Sequence, residues 1–139
     1  MRSDRGAVST ELAVLTPVLI GFMLLAVYAG RVTQAQADVE HAAYEAARAA
    51  SLTGHPSTAE AAAGETAEAN ITRGDVACRD LDVTVDTTDF TAGGTVTVTV
   101  DCDASFSDLT MLAVPGSRTF TANAIEVIDV HRANPEDNP

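Results

Sequence analysis

"RGAVSTELAVLTPVLIGFMLLAVYAGR", residues 5–31, decides how the rest of the chain is read. Leu12 to Ala29 is a run of 18 residues without a formal charge. As a helix it extends about 27 Å at about 1.5 Å per residue, against a hydrocarbon core of about 30 Å. The run is just long enough to cross a bilayer, and residues 12–30 are assigned to a transmembrane helix. Pro17, following Thr16, has no N–H to give to the preceding turn, so a kink is expected there. Two further features are foreign to a plain anchor. Gly6 stands alone after a short leader holding Arg2 and Arg5, and Glu11 places a carboxylate five residues further on. A carboxylate carried to the bilayer centre costs about 2.5–3.5 kcal/mol. The positive end of a helix dipole offsets part of that. A free α-amino group created by cleavage just upstream would offset more.

Working outward, the charge is uneven. The 139-residue chain has no lysine, and from Arg31 onward 6 Arg stand against 18 Asp plus Glu. Arginine before the span and acid after it predict an N-terminus in the cytoplasm and a body outside it. Taken whole, the acidic body repels DNA, RNA and anionic headgroups, which excludes a nucleic-acid partner. Three readings of the N-terminus stand beside one another. One is an uncleaved single-span surface protein with a binding ectodomain. A second is a signal peptide, with Ala35-Gln36-Ala37 as the cleavage site. Against that, the apolar run exceeds the roughly 7–15 residues of such segments and Arg31 lies between it and the cut. The third is cleavage between Gly6 and Ala7.

The third reading has a family behind it. A basic leader, Gly6, four residues, Glu11 and an apolar helix resemble a type IV prepilin. "GAVSTELAVLTPVLIGFMLLAVYAGRV", residues 6–32, is similar to the N-terminal segment of TadE-like proteins, pseudopilin-like components of the Tad (Flp) pilus. "VPGSRTFTANAIEVID", residues 114–129, is similar to the closing strand of such sequences. The resemblance implies processing by prepilin peptidase after Gly6, with Ala7 as the new N-terminus. It implies that Glu11 pairs with the amine of Ala7 on its own or a neighbouring subunit. It also implies partners among other Tad pilins, pseudopilins and inner-membrane assembly proteins, besides membrane lipid. Leu12 follows Glu11 where major Flp pilins carry tyrosine, which favours a minor subunit.

Beyond the span, Val32, Ala35, Val39, Ala42, Ala46 and Ala49 recur at helical spacing, widened by Ala43 and Ala50. The long helix is expected over residues 7–52, after a leader of residues 1–6. Its stripe either covers the protein's own sheet or packs against a partner. Off the stripe, Glu45 and Arg48 are placed to pair. Gly54-His55-Pro56 stops that helix. A second, Ala-rich helix is expected over residues 56–72, with Ser57 as N-cap and Glu60 reaching back. A β region follows over residues 76–130, then a disordered tail, residues 131–139.

In that region the period changes to two. Leu81, Val83 and Val85 alternate with acids and threonine, as do Val96, Val98 and Val100, so a hairpin with one buried face is expected. The valines share a face if Leu81 lies opposite Val100 and Val83 opposite Val98. A third strand, about 119–130, holds Phe120, Ala122 and Ala124, then Ile125, Val127 and Ile128. That change of parity predicts a bulge or a change of packing side. Phe106, Leu109, Met111 and Leu112 are expected to plug the sheet's end, before a turn at Pro115-Gly116. The overall class is α+β: a long helix, a short helix and a small three-stranded antiparallel sheet, pilin-like in plan.

The two cysteines flank the hairpin. Cys78 falls one residue out of phase with Cys102, and a bulge at Arg79-Asp80 would bring them together. A Cys78–Cys102 disulfide is expected, which belongs outside the cytoplasm. Two Cys and the scattered His41, His55 and His131 give no metal-ligand spacing. Asp80, Asp82, Asp101 and Asp103 read better as a solvated strand face than as a calcium site. No catalytic arrangement or phosphate loop is present, and neither an enzyme activity nor a cofactor is expected.

Overall fold

The structure, a computed structural model, describes residues 4–105 and 116–131, with residues 4–10 at the level of the backbone. Five elements follow in order: α1 (Asp4–Ser51), α2 (Pro56–Arg73), β1 (Cys78–Asp89), β2 (Thr95–Ser105) and β3 (Ser117–Val127). The fold is α+β, with the strands in one antiparallel sheet of order β1-β2-β3. The expected plug at Phe106, Leu109, Met111 and Leu112, and the tail beyond His131, lie outside the described residues.

The two helices form a hairpin because the chain between them is punctuated. Leu52 and Thr53 donate back to Ala49 and Ala50, tightening the last turn of α1. Pro56 then opens α2 at its first position, where its missing N–H is harmless. The cap is therefore His55 and not Ser57: the His55 N–H donates to Thr58 Oγ1 at 3.3 Å. Alanine sets the spacing between the helices. α2 buries Ala59, Ala63, Ala67 and Ile71, every fourth residue. α1 answers with Ala35, Val39, Ala42, Ala43, Ala46, Ala47 and Ala50. Smooth ridges of methyl groups let the axes approach closely, toward the low end of the usual 8–10 Å. The stripe on α1 is thus used on the protein's own α2 and sheet. Ala63 is fully buried in it, and Ala63→Leu should destabilise by about 1–3 kcal/mol through overpacking. Exposed Ala61 on the same helix should accept leucine with little change. Urea titration of the two variants checks this.

The sheet covers the other side of that core. β2 lies in the middle, and Val96, Val98, Val100, Cys102 and Ala104 are buried along its inner face. Leu81, Val83 and Val85 of β1, an edge strand, are half-buried. The pairing is shifted by two residues from the expected one. Val83 lies opposite Val100, Val85 opposite Val98 and Leu81 opposite Cys102. The shift comes from the turn. An irregularity between Asp86 and Asp89 extends β1, and the chain reverses through Gly93 (φ +82°) and Gly94. A Cβ on Gly94 would lie 2.1 Å from the Asp89 carbonyl, so only glycine fits. At the same turn, hydrogen bonds from the Thr88 hydroxyl and N–H hold the Asp86 carboxyl below its usual pKa.

β3 corrects a second expectation. Its pairing with β2 runs without a break from Ser117 to Val127, so there is no bulge at Ala124-Ile125. Phe120, Ala122, Ala124 and Glu126 keep to the inner face, and Ile128 continues that parity into the core. Ile125 and Val127 are left on the outer face, 65% and 64% exposed. The anticipated Glu45–Arg48 pair is also absent. Among the described residues the one ion pair within 4.0 Å joins His131 to Asp129.

Candidate membrane and assembly surface

α1 is 48 residues long, but only its C-terminal part belongs to the body. The first buried side chain is Ala35. Before it, the most apolar 18-residue window has a mean hydropathy of 2.3 and none of it is buried in the protein. The exposure runs around the whole circumference: every residue from Glu11 to Met23 is exposed. A core helix of a soluble domain would hide one stripe of such a sequence; a helix that is apolar all round needs an apolar medium or other helices about it. Length, hydropathy and exposure together make α1 able to cross a membrane.

Within that helix the functional candidates lie near one end. Gly6 and Ala7 fall in its first turns, and Glu11 follows one turn after Ala7. Residues four apart share a helix face, and helical side chains lean toward the N-terminus. Glu11 therefore shares a helix face with Ala7, one turn along. It is exposed and has no partner among the described residues. Pro17 sits inside α1, which continues as one helix past it. Thr16 adds what the sequence reading missed: its hydroxyl donates to the Leu12 carbonyl at 2.6 Å, beside the gap that Pro17 leaves in the ladder.

The structure does not bring the cysteines to these residues; they form a separate feature of the body. Cys78 and Cys102 are joined by a disulfide with Cα atoms 5.4 Å apart. The enabling irregularity is at Arg79, between the Cys78–Ala104 and Asp80–Asp103 pairs. It turns Cys78 to the inner face, where Cys102 is fully buried. The four aspartates are neighbours too, Asp80 opposite Asp103 and Asp82 opposite Asp101. No group of three or more His, Cys, Asp or Glu placed to hold a metal ion is found among the described residues.

An exposed helix of membrane-spanning length that continues into an Ala-packed α+β body is the make-up of a helix-anchored protein. Residues 6–48 match the family model described as TadE-like protein. The match begins at Gly6 and covers the exposed half of α1 and most of its packed half, 43 of the chain's 139 residues. No curated protein and no solved structure matches the chain.

Proposed function

We propose that the chain is a minor, pseudopilin-like subunit of a Tad-type pilus. In this reading prepilin peptidase cuts it between Gly6 and Ala7, and its body lies outside the cytoplasmic membrane. The exposed part of α1 then moves from lipid into a bundle of like helices in a filament or its base. The supporting observation is the placement of Gly6, Ala7 and Glu11 at the head of an unburied apolar helix within the TadE-like match. The scissile bond lies in the first turns of α1. Helix ends fray readily, so an extended backbone for the peptidase is obtained there at low cost. Partners are other pilins and pseudopilins, which supply the apolar surroundings that the helix lacks by itself.

N-terminal sequencing of the protein from cells with and without an active prepilin peptidase tests the reading. Ala7 is expected as the first residue in the former and the intact leader in the latter. A first residue of Asp38, or an uncut leader in both, would overturn it.

A further inference from the structure

The body's charge is not spread evenly. α1 leaves the span at Arg31 and enters the body at Ala35. α2 runs back toward the span: a Cβ on Gly74, just past its end, would lie 3.1 Å from Asp38 Oδ2 on α1. β1 starts four residues later, at this same end. Arg79 occupies the irregularity there, in the row where Cys78 faces Ala104 and Ala104 faces Arg118. A second marker gives the height of that row. Gln36 Nε2 donates to the Thr121 carbonyl at 3.5 Å. Arg118 is three residues earlier in a strand that leads away from the span, about 10 Å lower at about 3.3 Å per residue. Arg31 is five residues below Gln36 on α1, about 7.5 Å lower at about 1.5 Å per residue. Arg31, Arg73, Arg79 and Arg118 thus gather at the end of the body that meets the span.

All four are exposed, and among the described residues none has a carboxylate within 4.0 Å. That is unexpected in a chain with 20 acids and 8 arginines. Asp38, Asp75, Asp80, Asp82, Asp101 and Asp103 share this end, and Asp38 is engaged by the Gln34 amide. This end thus carries six acids against four arginines, but its row nearest the span holds Arg79 and Arg118, whereas the rest of the described body sets Arg48 alone against a large excess of Asp and Glu. Guanidinium groups not held by a carboxylate, at the level where an apolar helix emerges, suit lipid phosphates, which they bind as planar, two-pronged donors; Arg118 also lies over the Phe120 ring, 5.7 Å from its centroid.

We propose that this arginine rim docks the body onto anionic lipid headgroups of the outer leaflet, holding it upright over the bilayer before the helix is drawn into an assembly. The proposal rests on the membrane-inserted reading of α1. It sets the arginines of the row nearest the span apart from the net charge of −12 of the whole chain. Each arginine near an anionic surface should change the docked population about fivefold.

The test uses the full chain in phosphatidylcholine vesicles, with and without phosphatidylglycerol, carrying a gadolinium-chelate lipid. Relaxation enhancement is read at the amides of Arg79 and Arg118 and, as reference, Asp86 and Thr97. Anionic lipid should raise the enhancement at the first pair relative to the second. Arg79→Gln with Arg118→Gln should abolish that rise, while Arg48→Gln should leave it intact. An intact disulfide and an unchanged reference spectrum show that the variants fold. Equal enhancement in both vesicles, or a rise that survives the double substitution, would overturn the rim. A chain that fails to float with either vesicle would instead overturn the membrane reading beneath it.

Discussion

Replacing Cys78 and Cys102 together by alanine is expected to lower the stability of the body by about 3.5 kcal/mol, from the loop-closure entropy of a disulfide with this spacing. The two residues are 24 apart in sequence, so the bond restricts the whole β1–β2 hairpin in the unfolded chain. The effect should be large because the native contacts around it are modest. β1 is an edge strand with no fully buried side chain, and the helices beneath the sheet offer mainly alanine. Domains of this size are stable by about 5–15 kcal/mol in total. Losing about 3.5 kcal/mol corresponds to a fall in Tm on the order of 15 °C. Alanine avoids placing a serine hydroxyl at position 102, which is fully buried. Urea titration of the detergent-solubilised chain should show the loss, and dithiothreitol should move the wild type toward the same curve. If reduction leaves the wild-type curve where it was, the disulfide is not what holds β1 to the sheet.

The same hairpin shows what the sequence can and cannot reveal. Period-two alternation identified the strands and their inner faces, because burial depends on side-chain parity alone. Register depends on the turn, and the turn here needs an irregularity before Asp89 and a left-handed Gly93, neither of which leaves a periodic trace. In β3 the apolar residues Ile125 and Val127 invited a change of side. β2 pairs with β3 continuously, however, and that pairing overrides the preference of two residues for burial. The alanine stripe of α1 was legible as a contact face but not as to its partner, since methyl ridges suit an internal helix and a neighbouring subunit equally. The arginine rim was invisible: Arg31, Arg73, Arg79 and Arg118 are scattered in sequence and meet only when α2 folds back on α1. Gly6, Ala7 and Glu11 behave differently. They lie within two turns of one helix, so their juxtaposition is local and can be read directly.

Glu11→Ala carries the second large effect, and its direction separates the readings of α1. Considered alone, removing a carboxylate from the edge of an apolar helix makes insertion easier, by up to about 2.5–3.5 kcal/mol if the residue reaches the bilayer centre. A simple anchor should therefore tolerate the change or gain from it. In an assembling subunit the balance reverses. Once the leader is gone, the amine of Ala7 lies one helical turn from Glu11, on its own chain or on a neighbour at matching height. Among apolar helices, with little water present, a charge-assisted hydrogen bond contributes about 1.5–3 kcal/mol, or about ten- to hundredfold in each subunit contact. The contribution depends on position: a neighbour slipped along the helix leaves both charges unpaired, so the pair fixes register as well as strength. Glu11→Ala should leave cleavage after Gly6 intact and sharply reduce recovery of the subunit in pilus complexes. Glu11→Gln, which keeps the shape and removes the charge, should behave like alanine, and Glu11→Asp should recover part of the loss. Co-purification with pilin partners, alongside N-terminal sequencing, measures both steps separately. Full incorporation of a processed Glu11→Ala chain would show that apolar packing alone sets the register and that the carboxylate serves some other purpose.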